Sequence, residues 1–344
     1  MKRANGIAYA VFFVLLFFGL RSGCFFEAST ATVELPNAAP GNLPAVDALP
    51  VEQSNGAVGQ PGSQGEPSIG ANDVRGTLIF GAFNIEIFGV AKSNDPLVMR
   101  LLVDIARRFD LLAIQELRAQ DQSVIENFVS LVNADGSRYS YVIGPRQGTT
   151  ISKEQYVYLF DTNKLRLTAQ PYVAVDPTGD MHRSPLVASF ECVRANQGTG
   201  FTFTALNLHV DPDVVEMELA ALEQVMPQVM MAHPNEDDFI IMGDFNANAN
   251  LMQSFNLVRN QMPLILSHWP TKPRSGRSID NIVVDSVRTA EYRNQAGVLD
   301  VAAQYELSLV DALRVSDHYP VWAVFSTHEE RSRVAVAQGQ GVVR

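Results

Sequence analysis

Short apolar runs that each stop at a polar side chain constrain this chain more than any other feature. FGAFN ends at Asn84, LLAIQE ends at Glu116, and TALNLH ends at His209. The run FIIM leads almost directly into Asp244 and Asn246. A single Asp or Asn at such a place is usually a turn former or a helix cap. Repetition of the same ending along the chain weakens that interpretation and predicts one shared polar site.

The spacing of the apolar runs predicts an α/β (α+β) fold. From residue 77 onward they alternate with segments of helical periodicity, such as PLVMRLLVDIARRF, in which Asn94 or Asp95 caps a helix and Pro96 occupies the first turn. Of the 344 residues, 47% are hydrophobic, which suffices for a sizeable core. We expect a four-layer sandwich in which two mostly antiparallel β-sheets pack face to face with helices on the outside.

Composition divides the chain into four parts. Residues 1–27 begin with MKR and contain an apolar stretch of about 14 residues, shorter than the roughly 20 needed to span a bilayer. They predict a signal peptide, with an N-terminal membrane anchor as the alternative. Residues 28–73 are rich in Pro, Gly, Ala, Ser and Gln and predict a flexible low-complexity linker. Residues 74–327 form the predicted domain, and residues 328–344 form a predicted disordered tail.

Export and cysteine content bear on what holds the fold together. The N-terminal segment predicts a secreted or cell-envelope protein, tethered to the membrane if the segment is retained. Cys24 lies in that segment, which leaves Cys192 alone in the body of the chain. Because no internal disulfide can form in a processed chain, the fold must be held by its core or by bound metal.

The charge of the chain restricts how it would bind a phosphate-bearing substrate. The formal net charge is −11, so bulk attraction cannot hold a polyanion. Such a substrate would need cations supplied locally, by a metal or by a few arginines. Oxygen-bearing side chains such as Asn84, Glu116 and Asp317 suit a hard cation such as Mg²⁺ or Mn²⁺, whereas zinc would call for more His or Cys. Two histidines beside carboxylates would supply an acid and a base.

Several motifs together resemble one known family. In chain order they are AFNIEIFG, IQELR, SKEQYVYLF, LNLHV, MGDFNA, IDNIVV and SDHYPV, and they span nearly all of residues 77–325. They resemble the endonuclease/exonuclease/phosphatase superfamily and, within it, the deoxyribonuclease I family; GDFN with a downstream SDH is the most specific pair. The resemblance implies a metal-dependent endonuclease that hydrolyses DNA phosphodiester bonds by in-line attack of water, with a histidine pair as acid and base.

The resemblance also implies roles for the metal and phosphate ligands. Glu116 would be the principal ligand of Mg²⁺ or Mn²⁺, with Asn84 and Asp317 beside it. Asp244 and Asn246 would bind the scissile phosphate or a second metal and help to align the attacking water. Calcium dependence is not carried over, because the loops that hold calcium in deoxyribonuclease I are only partly matched here.

The histidine pair takes its partners from the same resemblance. Glu154 would orient His209, and Asp280 would orient His318. Which of the two histidines is the acid stays open. For either histidine taken alone, a satisfied core histidine would be the simpler interpretation, but LNLH and SDH both match the family motifs.

Residues that would contact DNA match only in part. Arg118 and Arg183 match arginines that contact the minor groove and a phosphate, and Asn246 joins them as a substrate-binding residue. Glu86 and Ser152 stand where deoxyribonuclease I has a basic residue and a tyrosine, which weakens duplex binding. Four other basic residues would compensate: Arg146, Lys272, Arg274 and Arg277.

Other functions stay open beside the DNA endonuclease. One is a phosphodiesterase or phosphatase of the same superfamily that acts on RNA, lipid or small phosphate esters. Another is a catalytically inactive binding module, although Glu116, His209, Asp244 and His318 are all retained. DNA is the expected partner, no protein partner is indicated, and a monomer is the default expectation.

Overall fold

The structure, a computed structural model, describes residues 76–193 and 199–330. Its strands are β1 Thr77–Phe88, β2 Leu111–Leu117, β3 Tyr139–Ile143, β4 Gln155–Asp161, β5 Leu165–Leu167, β6 Tyr172–Val173, β7 Leu186–Cys192, β8 Thr202–His209, β9 Phe239–Asp244, β10 Gln261–Pro263, β11 Asp280–Asp285, β12 Tyr292–Val298 and β13 Val321–Ser326. Its α-helices are α1 Val90–Ser93, α2 Pro96–Ala106, α3 Ser123–Val132, α4 Val215–Ala232, α5 Ala249–Met252, α6 Val301–Gln304 and α7 Leu309–Val315.

The strands form two sheets. The first has six strands in the order β12-β13-β1-β2-β4-β3, and the second has seven, in the order β10-β11-β9-β8-β7-β5 with β6 paired to β7. Among the described strands only β1–β2 and β8–β9 are parallel pairs. Strands β1 and β2 contact β8 and β9 across the interior. The predicted sandwich of two mostly antiparallel sheets is therefore confirmed.

Aromatic side chains fill the space between the sheets. The ring of Phe80 on β1 lies 4.7 Å from the ring of Phe203 on β8 and 4.7 Å from that of Phe325 on β13. All three side chains are fully buried. Burying a phenylalanine contributes about 1.5–3 kcal/mol relative to leaving it exposed. The contact between Phe80 and Phe203 therefore helps to set the distance between the two sheets.

Helices cover the outer faces of both sheets. Helix α2 begins at the predicted cap, where the Asp95 carboxylate accepts hydrogen bonds from Leu97 N at 3.1 Å and Val98 N at 3.2 Å. It packs with α3 in the core of the first sheet. Helix α4 buries Leu219, Leu222 and Val225 with the outward side chains of β8 and β9.

One polar contact crosses the buried interior. Gln115 Nε2 on β2 donates to Asn207 Oδ1 on β8 at 2.7 Å, and Asn207 Nδ2 donates to the carbonyls of Ile114 and Val157 at 3.2 and 3.0 Å. Both amide side chains have no solvent exposure. The contact satisfies backbone carbonyls of β2 and β4 where the pairing of those strands shifts register after Ile114.

Replacing Asn207 with alanine should destabilise the protein by about 2–5 kcal/mol, because each buried polar group left unpaired costs roughly 1–3 kcal/mol. Urea unfolding measures the loss. Asn256→Ala is the matched control, since Asn256 is exposed and its side-chain amide donates to Glu223 at 3.0 Å. A loss no larger than that of the control would show that Asn207 does not tie the sheets together.

The ends of the predicted domain differ in how far the structure describes them. The predicted signal peptide or anchor, the predicted linker and residues 331–344 lie outside the described residues. At the start of the predicted tail, His328 bridges to Gly200, and Thr202 N donates to Glu329 Oε2 at 3.1 Å. Within the described ranges, no helix combines the length and apolarity required to cross a bilayer.

Candidate active site

The ends of β1 and β2 depart from regular strand geometry. Their pairing shifts register between Asn84 and Phe88. Glu86, Ile87 and Glu116 adopt positive φ angles of 47°, 51° and 63°. Each such residue costs of order 1–3 kcal/mol and persists only where the surroundings hold it. The irregular segment turns the Glu116 carboxylate into a cleft at the edge of the sandwich.

Lys92 holds this irregular segment in place. Its Nζ donates to the carbonyls of Ile85 at 2.6 Å, Glu86 at 2.5 Å and Val315 at 2.8 Å. Burial lowers the pKa of Lys92, against the opposing effect of Glu86 and Glu116. The ammonium replaces strand pairing as the partner of these carbonyls, so Lys92 is a positioning residue. No motif in the sequence singled it out.

Asn84 links two carboxylates at the floor of the cleft. Its Nδ2 donates to Glu116 Oε1 at 3.2 Å and to Asp244 Oδ2 at 3.1 Å, while its Oδ1 accepts from Glu86 N at 2.9 Å. Ile87 N donates to Glu116 Oε2 at 2.9 Å. In this orientation Asn84 aligns Glu116. Ligation of a metal by Asn84 Oδ1 requires its amide to turn and give up the bond from Glu86.

Asp244 and Asn246 occupy the turn after β9. Parallel pairing of β8 with β9 sets His209 beside Asp244. Asn246 has a φ of 47°, and its backbone N donates to Asp244 Oδ1 at 2.9 Å. The Asn246 side chain donates through Nδ2 to Val210 O at 2.8 Å. The asparagine thus fixes one oxygen of Asp244 and ties the turn to β8.

His209 is held between two carboxylates. Its Nδ1 lies 2.8 Å from Glu154 Oε1, and its Nε2 lies 3.5 Å from Asp244 Oδ2. Tyr156 OH accepts from His209 N at 2.9 Å and fixes the backbone. Burial alone would lower the pKa of His209, but Glu154 and Asp244 raise it above its ordinary value.

His318 has a matching environment on the other side of Asp244. Its Nδ1 lies 3.0 and 2.9 Å from the two oxygens of Asp280, and its Nε2 lies 3.6 Å from Asp244 Oδ2. The Ser316 hydroxyl donates to Asn84 O at 2.6 Å and accepts from His318 N at 3.0 Å. Burial alone would lower the pKa of His318, but Asp280 and Asp244 raise it to about 9.

Each histidine and its carboxylate come from opposite sheets. His209 ends β8 of the second sheet, whereas Glu154 precedes β4 of the first. Asp280 begins β11 of the second sheet, whereas His318 precedes β13 of the first. Asp244 lies between the two Nε2 atoms. Burial alone would raise the pKa of Asp244, but the positive charges on the two histidines hold it below its ordinary value.

Lys272 also reaches this centre. Its Nζ lies 2.7 Å from Asp317 Oδ2 and 3.1 Å from His318 Nε2. The sequence predicts Lys272 as part of a basic loop that faces DNA, and the structure places its side chain inside the cleft instead. Asp317 Oδ1 lies 3.4 Å from His318 Nε2. The Lys272 ammonium is therefore paired with Asp317, whose carboxylate is predicted to bind metal.

The arginines predicted to contact DNA differ in how fully their guanidinium groups are bonded within the protein. Arg118 Nη2 lies 2.8 Å from Glu116 Oε2, and its Nη1 donates to Ser152 Oγ at 2.5 Å. Arg183 is nearly buried and donates to His209 O at 3.2 Å, with its Nη2 unpaired. Arg146 donates to the carbonyls of residues 118, 119 and 153. The Arg146 guanidinium therefore holds a loop. The predicted compensation for lost DNA contacts is left to the loop that contains Lys272, Arg274 and Arg277.

These side chains surround one open cleft of about 410 Å³. The predicted site residues that line it are Asn84, Glu116, Arg118, Arg183, His209, Asp244, Asn246, Asp317 and His318. Glu154 and Asp280 stand behind the histidines and do not line it. Glu86 and Lys272 line the cleft as well. The structure thus brings every predicted site residue into one place.

The donor atoms in the cleft fit a hard divalent cation. Glu116, Glu154 and His209 form one group whose ligand atoms lie within 4.8 Å of one another, and Asp244, Asp280 and His318 form another. Carboxylate oxygens predominate and no thiolate is present in these groups, which is compatible with a divalent metal ion. Glu116 and Asp244 are the members whose carboxylates line the cleft.

A cleft in which two carboxylate-oriented histidines face one aspartate, at the edge of a two-sheet sandwich, is typical of a phosphoester hydrolase. The chain belongs to the Endonuclease/Exonuclease/phosphatase family, whose model matches residues 81–318. Among its relatives is a protein named Deoxyribonuclease gamma from Rattus norvegicus, 29% identical over 257 residues, or 70% of this chain and 82% of that protein. Deoxyribonuclease-1 from Bos taurus is 29% identical over 262 residues, or 71% and 91%. The protein is therefore a phosphodiester hydrolase similar to deoxyribonuclease I.

Solved structures agree with the fold. An endonuclease/exonuclease/phosphatase family protein from Leptotrichia buccalis superposes with a TM-score of 0.53 at 12% identity, covering 72% of this chain and 98% of that chain. An endonuclease/exonuclease/phosphatase from Bacteroides vulgatus superposes with a TM-score of 0.52 at 14% identity, covering 73% and 99%. At these identities the superpositions establish the sandwich and nothing further about substrate.

Proposed function

We propose that the protein is a metal-dependent endonuclease that cleaves DNA. The observation that carries this proposal is the arrangement around Asp244, where Nε2 of His209 and Nε2 of His318 lie 3.5 and 3.6 Å from the same carboxylate oxygen. Similarity to relatives named deoxyribonucleases supports DNA as the substrate.

The two histidines would divide the roles of acid and base at the phosphate, and which of them takes which role stays open. Glu154 and Asp280 hold the Nδ1 atoms, so that both Nε2 atoms point into the cleft. A protonated imidazole stabilises charge that develops on a phosphate oxygen, and it can pass its proton to the leaving oxygen. Asp244 remains ionised between them and accepts a hydrogen bond from the attacking water, whose proton would pass to Nε2 of the other, neutral histidine. Asn246 keeps that carboxylate aligned.

A hard divalent cation completes the site in this proposal. Glu116 would hold it, with Asp317 and, after its amide turns, Asn84. When bound, Mg²⁺ or Mn²⁺ neutralises charge on the phosphate oxygens. Within the chain itself, Lys272 balances Asp317 and Arg118 balances Glu116, at 2.7 and 2.8 Å. If Asp317 and Glu116 held a metal ion, Lys272 and Arg118 would be free to contact phosphate.

DNA binding outside the reacting phosphate would rest on a small set of arginines. Arg118 and Arg183 flank the cleft, and Arg277 lies beside Asn246, with its Nη2 3.5 Å from Asn246 O. Arg274 lies exposed in the same loop. Because the net charge of the chain is −11, attraction to the DNA phosphates would come from these few arginines and not from the protein as a whole. Monomeric state and export through the N-terminal segment are retained as parts of the proposal.

The purified protein should nick supercoiled plasmid in the presence of Mg²⁺ or Mn²⁺, and EDTA should abolish the nicking. Glu116→Gln should lower the rate at least about a hundredfold, because the cation contributes several kcal/mol of charge stabilisation. Glu126→Gln, on an exposed turn of α3, is the matched control.

Two results would contradict the proposal. Nicking that is unchanged by EDTA would remove the metal from the reaction. A folded, metal-loaded protein that leaves DNA intact would exclude DNA and direct the search to RNA, to lipid or small phosphate esters, or to an inactive binding module.

A further inference from the structure

A second carboxylate cluster lies at the end of the sandwich opposite the cleft. Asp238 immediately precedes β9, whereas Asp244 ends it, and a six-residue strand is about 20 Å long. Glu291 immediately precedes β12, and Glu329 follows β13. One carboxylate oxygen from each of these three residues lies within 4.8 Å of the others. The cluster is thus separate from the active site.

Two of the three carboxylates are buried, and each of those two has an oxygen without a hydrogen-bond partner. Asp238 is 1% exposed and Glu291 is 0% exposed. Asp238 Oδ1, Glu291 Oε2 and the Thr289 hydroxyl have no hydrogen-bond partner. In the described part of the chain no Lys or Arg pairs with any of the three carboxylates; Arg293 pairs with Glu330 instead, at 2.8 Å. Buried carboxylates without a cation are costly.

Backbone amides hold the cluster in shape. Thr202 N donates to Glu329 Oε2 at 3.1 Å, and Glu330 N donates to Glu291 Oε1 at 2.5 Å. Each glutamate therefore has one oxygen anchored while the rest of the carboxylate faces its neighbours. Glu329 is partly exposed, which leaves a route from solvent to the buried oxygens.

Burial and mutual repulsion show how poorly the cluster tolerates its own charge. Burial, followed by the neighbouring Glu291, raises the pKa of Asp238 to about 10. Burial likewise raises the pKa of Glu291 to about 7, with Glu329 and Glu330 adding to the effect. A bound cation would remove this penalty.

We propose that Asp238, Glu291 and Glu329, with the Thr289 hydroxyl, bind one structural calcium ion. The donors are all oxygens, without His or Cys, which selects a hard cation. A buried set of protein oxygens suits Ca²⁺, whereas Mg²⁺ usually keeps several of its waters. The three carboxylates come from the start of β9 in the second sheet and from one end of the antiparallel β12–β13 pair in the first, where β12 begins and β13 ends. The ion therefore joins the two sheets where no disulfide does.

Calcium binding is tested first by thermal unfolding of the full chain after EGTA treatment. Adding Ca²⁺ at about a hundred times its dissociation constant should raise Tm by about 5–10 °C. Glu116→Gln, which alters the active site, should keep this rise. Glu291→Gln and Asp238→Asn should lose it, and both should fold without calcium because a neutral amide removes the buried charge.

Equilibrium dialysis with ⁴⁵Ca²⁺ supplies the direct readout. In the Glu116→Gln background one calcium should bind per chain, and adding Glu291→Gln should remove it. The inference is overturned if the parent chain shows no calcium-dependent rise in Tm, or if Glu291→Gln and Asp238→Asn retain it. An equal rise with Mg²⁺ at the same concentration would overturn the assignment to calcium. None of these readouts depends on cleavage of DNA.

Discussion

Replacement of His209 by alanine should slow plasmid nicking by about 10²–10⁴-fold, the range typical of a positioned proton donor or acceptor. The ring fills the space between Glu154 and Asp244, at 2.8 and 3.5 Å. Its removal takes away the proton donor or acceptor that faces the phosphate and leaves the buried Glu154 without its main partner. Folding should survive, because Arg183 Nε still lies 3.4 Å from Glu154 Oε1.

Single-turnover nicking with saturating enzyme measures this loss without a contribution from substrate binding. His268→Ala is the matched control, since His268 is exposed and lies outside the cleft. Circular dichroism confirms that each variant is folded. A His209→Ala rate within threefold of the parent would show that the histidine is structural and that Asp244 and His318 suffice.

Replacement of Gly243 by alanine should destabilise the protein by more than about 3 kcal/mol or abolish soluble expression, because the strain combines a forbidden φ with a backbone clash. Gly243 has a φ of 146°, which side chains with a Cβ rarely adopt. An added Cβ would fall inside van der Waals contact with the carbonyl of Leu208 on β8. Neither backbone can move without shifting the His209–Asp244 register.

Gly136→Ala separates the two causes in the same experiment. Gly136 also has a positive φ, at 94°, but nothing lies within 4 Å of an added Cβ. Gly136→Ala should lower the free energy of unfolding by only about 1–2 kcal/mol, the conformational cost of the left-handed region. Urea unfolding compares the two variants. Equal losses would show that the contact with Leu208 is absorbed and that φ alone matters at Gly243.

Much of the cleft was predictable because its residues lie at or near the ends of the apolar runs that form buried strands. Asn84, Glu116, His209 and Asp244 follow apolar runs whose burial fixes where each strand stops. Parallel pairing of β1 with β2 and of β8 with β9 then brings those ends to the same edge. The position of a residue along the chain and the two-residue period of a strand therefore suffice to predict that these side chains lie in the cleft. The roles of these residues in catalysis stay predictions.

The rest depends on loop paths that residue types do not reveal. Lys92 contacts backbone carbonyls, which every residue possesses, so nothing in the sequence marks its partners. Lys272 enters the cleft and Arg146 turns inward to carbonyls, although both were expected at the DNA-facing surface. Asp238 and Glu291 lie 53 positions apart by their numbers and match no spacing pattern. Only the folded chain brings them together.

The pairing of each histidine with a carboxylate from the opposite sheet has a consequence for how the protein tolerates change. The catalytic rate should depend on the distance between the two sheets. A shift of one sheet relative to the other separates His209 from Glu154 and His318 from Asp280 even if each sheet stays intact. Core residues such as Phe80 and Phe203, far from any substrate, are therefore subject to selection for activity as well as for folding. Neutral drift in the interior should be narrower than stability alone would allow.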